Sequence, residues 1–224
     1  DNQQAMSDMV EHFISHHGFE RICFMTGKLD MYDAQKRLLG YINTMQKYGL
    51  KVTPEMVFEG DYWRSRGPQA VDWFTQGEQL PQAIVCANDY MAISVCNALY
   101  SKGIRVPEDV CVSGYDDVDE AKYSIPSISS MHVSASKMGQ TAVQMLKNIN
   151  AGVAQERDVY IGVEACYRGS CGCMDEKDGR STKELFILKE AQQRILYHTS
   201  VMRIALDNQD DFAGLVSVYA IYIT

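Results

Sequence analysis

The run Gln82–Ser94, QAIVCANDYMAIS, decides how the rest of the chain is read. Its first half, AIVCA, is an unbroken apolar stretch of the length and composition of a strand buried on both faces. It stops abruptly at Asn88 and Asp89, and a helical pattern starts at once. In an open parallel sheet, ligands bind outside the carboxyl ends of the strands. Polar side chains at this place are therefore candidates for ligand contact. Asn and Asp are also good turn and helix-capping residues. On that plainer reading Asp89 caps the following helix, which leaves Asn88 with no structural task.

Outward from this stretch, helical and strand-like periods alternate. Residues 3–17 carry Ala5, Met9, Val10, Phe13 and Ile14 at helical spacing, closed by Gly18. ERICFMTG then gives a short apolar strand ending at Gly27. Residues 31–48 are helical (Ala34, Leu38, Tyr41, Ile42, Met45) and closed by Gly49. MVFEG reads as a strand, 66–76 as a helix, AIVCA as a strand and 90–102 as a helix closed by Gly103. VPEDVCVSGYDD adds a turn and a strand, SISSMHV another strand, 135–149 a helix and VYIGVEA a last strand. Strands joined to helices by short connections predict an α/β fold with a mostly parallel sheet and helices on both faces. Three strands end in polar or glycine-containing tips: MTGKLD, ANDY and GYDD.

Composition bounds the function. The 224 residues hold 46% hydrophobic and 22% charged side chains, those of an ordinary globular protein. A net charge of −8 without a basic cluster argues against direct nucleic-acid contact. Seven cysteines, several inside apolar runs, fit a reducing compartment. The opening DNQQAMSDMVEHF lacks the apolar core of a signal peptide, and FAGLVSVYAIYI is too short to span a bilayer. The expected location is the cytoplasm. After Glu164 the polar, glycine-containing ACYRGSCGCMDEKDGRS reads as a boundary, with a linker over 166–181. Residues 182–208 are helical, with a 3-4 spaced seam (Leu185, Leu188, Ile195, Met202, Leu206) that suits dimerisation or packing on the domain. The segment 182–224 ends without a polar cap, as if the parent chain continued.

Several stretches together resemble the effector-binding core of LacI/GalR-type regulators, which has the type I periplasmic-binding-protein fold. They are VEHFISHHGFERICFMTG, DAQKRLLGY, EGDY, AIVCANDYMAI, GIRVPEDVCVSGYDD and SIPSISSMHVSASKMGQTAVQML. The match runs over residues 1–165. It implies a single lobe, the carboxyl-terminal one of a two-lobed sensor, whose 135–149 helix returns to pack on the other lobe. With most of that lobe outside the chain, the helix is expected to show an apolar face open to self-association. The tail, RGSCGC before a long helix, resembles LacI-like sensors fused to diguanylate cyclase (GGDEF) or histidine kinase outputs.

The resemblance implies ligand contacts at Arg37, Tyr62, Asn88 and Asp116, with Asp33 a weaker candidate. The chemistry suits a sugar or another polyol, whose hydroxyls are best held by planar groups that bond two at once. Each residue also has a plainer role. Arg37 could pair with Asp33 at i,i+4, Tyr62 could be a half-buried aromatic, and Asp116 and Asp117 could be turn residues. Cys166, Cys171 and Cys173 lack zinc-site spacing, and His16, His17 and His132 form no metal pattern. Neither a metal nor a cofactor is expected. No nucleophile–base set or phosphate loop suggests an enzyme. The leading expectation is a small-molecule sensing module, a homodimer, coupling cleft closure to a GGDEF or kinase output. The alternatives are the core of a LacI-type repressor, a periplasmic transport binding protein, and an interaction-only module. With only one jaw of the cleft, chain 1–224 is expected to bind ligand weakly or not at all.

Overall fold

The computed structural model describes residues 1–154, 156 and 158–173. The helix and seam read over 182–208 lie outside the described residues. Four strands form a parallel sheet in the order β2 (Val57–Glu59), β1 (Ile22–Thr26), β3 (Ala83–Cys86), β4 (Cys111–Ser113). β1 and β3 are central, in register Ile22–Ala83 to Met25–Cys86, and every residue in them is buried. That burial is why both read as unbroken apolar runs instead of alternating ones.

Helices α1 (Asn2–Ser15) and α2 (Tyr32–Lys47) pack on each other, as do α3 (Gly67–Phe74) and α4 (Asp89–Ser101). Right-handed crossovers place the two pairs on opposite faces, because the chain steps from β1 to β2 in one direction and from β2 through β3 to β4 in the other. Gly18, Gly49 and Gly103 all have positive φ just beyond a helix, the left-handed closure that glycine allows. The core between the layers holds Phe13, Phe24, Tyr41, Met45, Ile84 and Leu99. Phe24 and Tyr41 stack at 5.0 Å, and the Tyr41 hydroxyl donates to the Ile22 carbonyl. Cys23, Cys86, Cys96, Cys111 and Cys171 are buried and take part in no disulfide among the described residues.

The α1–α2 contact depends on Gly40. A Cβ there would lie 2.4 Å from the Gln3 carbonyl oxygen, a backbone atom of α1. Alanine in a helix gains about 1 kcal/mol over glycine, but overpacking against rigid backbone costs roughly 1–3 kcal/mol. The steric cost wins, so Gly40→Ala is expected to lower the urea midpoint; an unchanged or higher midpoint would show that α1 shifts freely.

Past β4 the chain adds a two-stranded sheet beside the parallel one. After the short α5 (Asp119–Tyr123), β5 (Ser130–Val133) runs parallel to the β4 edge through the bridges Ser113–Ser129 and Asp116–His132. β6 (Val163–Cys166) pairs with β5 antiparallel. Residues 167–173, expected to belong to a linker, pack against the sheet instead. The Ser170 hydroxyl donates to the Val112 carbonyl and accepts from the Ser129 amide, and Cys171 is fully buried. Serine and glycine gave this turn a linker's composition, yet the Ser170 and Arg168 side chains find partners inside the fold. Between β5 and β6 lies α6 (Ala135–Asn150), an amphipathic helix with no buried residue; Val143, Leu146 and Ile149 are all exposed.

Candidate functional site

The chain reverses direction across the sheet between β1 and β3, so the crevice at their carboxyl ends is where this topology offers a site. Arg37, on the second turn of α2, reaches into it. Its side chain is almost fully buried: Nη1 donates to the Ala87 carbonyl at the end of β3, and Nε donates to Asn2 Oδ1 at 2.8 Å. The guanidinium lies 3.7 Å from the centroid of the Tyr115 ring, and Nη2 is 3.8 Å from Asp116 Oδ1. Asp33 instead accepts a 2.9 Å bond from Asn2. The simple i,i+4 pair is therefore replaced by long-range partners on three other segments.

Asp33, Arg37 and Asp116 come together along one cleft of about 530 Å³. Asn2, Tyr32, Lys36 and Tyr115 share its polar side, while Val133, Met138, Val159 and Ile161 supply an apolar wall. Asp116 has φ of +102° and its amide donates to the Met131 carbonyl, which fixes the carboxylate at the rim. Burial raises its pKa; the Arg37 charge works the other way. Of the cleft residues that sequence reading did not single out, Tyr115 had a signal, since it precedes Asp116 in GYDD. Asn2 had none: its role depends on α1 lying beside α2.

Asn88 and Tyr62 do not line this cleft. Asn88 is the N-cap of α4: its Oδ1 accepts from the Met91 amide, and its Nδ2 donates to the Tyr62 carbonyl at 3.0 Å. The expectation that Asp89 caps the helix and leaves Asn88 without a structural task is thus reversed. Asp89, fully buried inside the first turn, accepts from Ser130 Oγ at 2.6 Å and the Val118 amide at 2.8 Å. Its own amide donates to the Tyr115 carbonyl. Together the pair anchors the two loops that carry Tyr62 and Asp116. The Tyr62 ring covers Gly27, where a Cβ would lie 2.2 Å from the ring, and Arg37 is 6.0 Å from its centroid. Burial raises the Tyr62 pKa, and its hydroxyl has no hydrogen-bond partner among the described residues. Trp63 points to solvent.

Asp117 is more than a turn residue. Its carboxylate meets Arg168 Nη2 at 2.7 Å and His132 Nδ1 at 2.9 Å. Spacing showed no metal pattern in Cys166, Cys171 and Cys173 or in His16, His17 and His132, but the fold places the ligating atoms of His12, His17, Cys171 and Cys173 within 4.8 Å of one another. The pattern was invisible because the two pairs stand at opposite ends of the domain's sequence.

The family profile of the periplasmic binding protein-like domain matches residues 10–171. The chain belongs to that family. Among its curated relatives, the HTH-type transcriptional repressor PurR of Pasteurella multocida is 34% identical over 134 residues, 60% of this chain and 40% of PurR. The ribose operon repressor of Escherichia coli K12 is 32% identical over 146 residues, 65% of this chain and 44% of the repressor. The crystal structure of a LacI-family sugar-binding transcriptional regulator from Escherichia coli, complexed with phosphate, superposes with a TM-score of 0.70 at 28% identity. That match covers 76% of this chain and 61% of the regulator. This periplasmic binding protein-like chain thus spans about two fifths of the length of the curated repressors it matches. These relatives are transcription repressors, which favours the repressor alternative over a GGDEF or kinase output. No helix among the described residues is long and apolar enough to cross a membrane.

Proposed function

We propose that this chain supplies an effector-binding lobe of a LacI-type transcriptional repressor, with a sugar or similarly hydroxylated small molecule as effector. The observation that carries the reading is the anchored guanidinium of Arg37. Two of its nitrogens are held by the Ala87 carbonyl and Asn2, while Nη2 faces Asp116 across a cleft at the switch point of the sheet. An arginine fixed in this way presents a planar donor fork beside a carboxylate acceptor, the pairing that vicinal hydroxyls recognise. In this reading Arg37 and Asp116 contact the effector and Asp33 lies at the rim. Asn88 and Tyr62 act by positioning, since Asn88 already holds the Tyr62 carbonyl. The exposed apolar face of α6 is the surface that a second lobe or a second copy covers in a dimer. Closure of two lobes on the effector then biases the DNA-bound form, by as much as the effector prefers closed over open.

The test is calorimetric titration of the full reading frame that contains this chain with a pentose, a hexose, a disaccharide and a purine base. Saturable binding of one sugar is expected, weakened roughly tenfold to a hundredfold in Arg37→Ala or Asp116→Ala, the loss expected for a charge-assisted hydrogen bond. Chain 1–224 alone is expected to bind the same sugar at best weakly. Tight binding of the purine base with no sugar response would sink the polyol reading, and millimolar-or-tighter sugar binding by 1–224 alone would sink the two-lobe requirement.

A further inference from the structure

Away from the cleft, at the opposite end of α1, four soft or borderline donor atoms converge. His12 lies in the last turn of α1 and His17 just beyond it; Cys171 and Cys173 lie on the turn that follows β6. His12 Nε2 and His17 Nε2 are 3.2 Å apart, and Cys173 Sγ stands 3.3 Å from the first and 3.4 Å from the second. With Cys171 Sγ included, all four atoms fall within 4.8 Å of one another. The geometry points to a structural zinc site of Cys2His2 type that ties the amino-terminal helix to the turn after β6.

The distances decide between this and a set of ordinary hydrogen bonds. With bonds of about 2.0–2.1 Å to nitrogen and 2.3 Å to sulfur, a tetrahedral zinc requires N···N near ~3.3 Å and N···S near ~3.6 Å. The observed edges lie within a few tenths of an ångström of these values. Hydrogen bonds would not bring the four atoms to a common centre. One thiol hydrogen on Cys173 can serve only one of its two imidazole neighbours, and the two Nε2 atoms can bond each other only if one carries a proton. A single cation inside the tetrahedron satisfies all four lone pairs. Two thiolates with two imidazoles are the donor set of structural zinc, and with all four positions filled by protein the site is closed to substrate.

The surroundings hold this arrangement. The Tyr167 ring stacks on His12 with centroids 3.7 Å apart and planes 16° from parallel, and the His16 ring also lies nearly parallel to it at 5.1 Å. Gly172, between the two cysteines, has φ of +81°, a left-handed turn that allows both thiols to face the same centre. Cys171 is fully buried, and Cys173 is half-buried at the rim. A metal here links positions 161 residues apart in sequence, so it acts as a staple that closes a long loop and fixes the turn at residues 171–173 against α1.

The experiment uses chain 1–224 expressed in zinc-supplemented medium under reducing conditions, with metal content read by native mass spectrometry. About one zinc per chain is expected. Cobalt substitution is expected to give the intense visible band of a tetrahedral site together with thiolate-to-cobalt charge transfer. Cys173→Ser and His17→Gln, both at partly exposed positions, are expected to weaken zinc binding by more than roughly a hundredfold, beyond the loss typical of an outer-shell partner. A control Cys96→Ser is expected to keep the metal. Removing zinc with a chelator is expected to lower the melting temperature of the parent chain and to leave that of Cys173→Ser unchanged. A folded parent chain that holds no zinc and gives colourless cobalt, or one whose Cys171 and Cys173 form a disulfide under these conditions, overturns the site.

Discussion

Arg168→Ala is expected to destabilise the protein by about 3 kcal/mol, the lower part of the range for breaking a buried ion pair. Arg168 is 12% exposed and its partner Asp117 only 5%, with Nη2 and Oδ1 at 2.7 Å. Nη1 of the same guanidinium donates to the Ile128 carbonyl, and the backbone amide donates to Ser129 Oγ. Truncation therefore leaves a buried carboxylate and a carbonyl without their main partner. His132 at 2.9 Å and Lys122 at 3.6 Å from the other carboxylate oxygen offset part of the loss, which is why the upper end of the range is not expected. The decisive comparison is the double variant Asp117→Asn/Arg168→Met. Neutralising both ends leaves no unpaired buried charge, and asparagine tolerates the positive φ of 58° at this position. The double variant should recover most of the stability lost in Arg168→Ala, measured by urea denaturation. If Arg168→Ala lies within about 0.5 kcal/mol of the parent, the range of an ordinary surface substitution, then water reaches Asp117 and the pair is not an anchor.

That pair also marks where sequence reading stopped. The four-stranded core was legible because its signals are local: apolar runs bounded by glycines, and helices closed by Gly18, Gly49 and Gly103. The tips of the strands were legible as a place, because Arg37 and Asp116 do converge there. The division of labour at Asn88 and Asp89 was not. Both residue types can cap a helix, and the choice was made by loops from elsewhere: one presents the Tyr62 carbonyl to Asn88, the other presents Val118 and Ser130 to Asp89. Likewise RGSCGC has a linker's composition, and the partners that make it part of the fold, the carbonyls of Val112 and Ile128, the Ser129 amide and the Asp117 carboxylate, all come from distant segments. Contacts between distant segments leave no period in a sequence, so His12 could not be read as a neighbour of Cys173.

The second large effect concerns Asp89 and its dependence on pH. Burial raises its pKa from 3.8 to about 7, although the bonds from Ser130 and the Val118 amide lower it in part. The sign follows from proton counting. Between those two values the folded protein keeps a proton that the unfolded chain has released, so stability falls as pH rises. The contribution is fully present below about pH 4 and is lost as pH rises through about 7. A shift of this size corresponds to roughly 4 kcal/mol. Asp116, raised in the same direction by burial, adds a slope of the same sign, while the Arg37 charge opposes it. Asp89→Asn removes the titration but keeps an acceptor for one of the two donors. Its stability relative to the parent is therefore expected to improve steadily from pH 4 to pH 8, followed by urea midpoints at several pH values. Parallel stability curves for the two proteins would mean that Asp89 is already ionised in the fold at low pH. The consequence reaches the cleft, because Asp89 grips residues 115–118 through both its carboxylate and its amide. Ionisation strengthens the bonds from Ser130 and Val118 while burial of the charge weakens the fold.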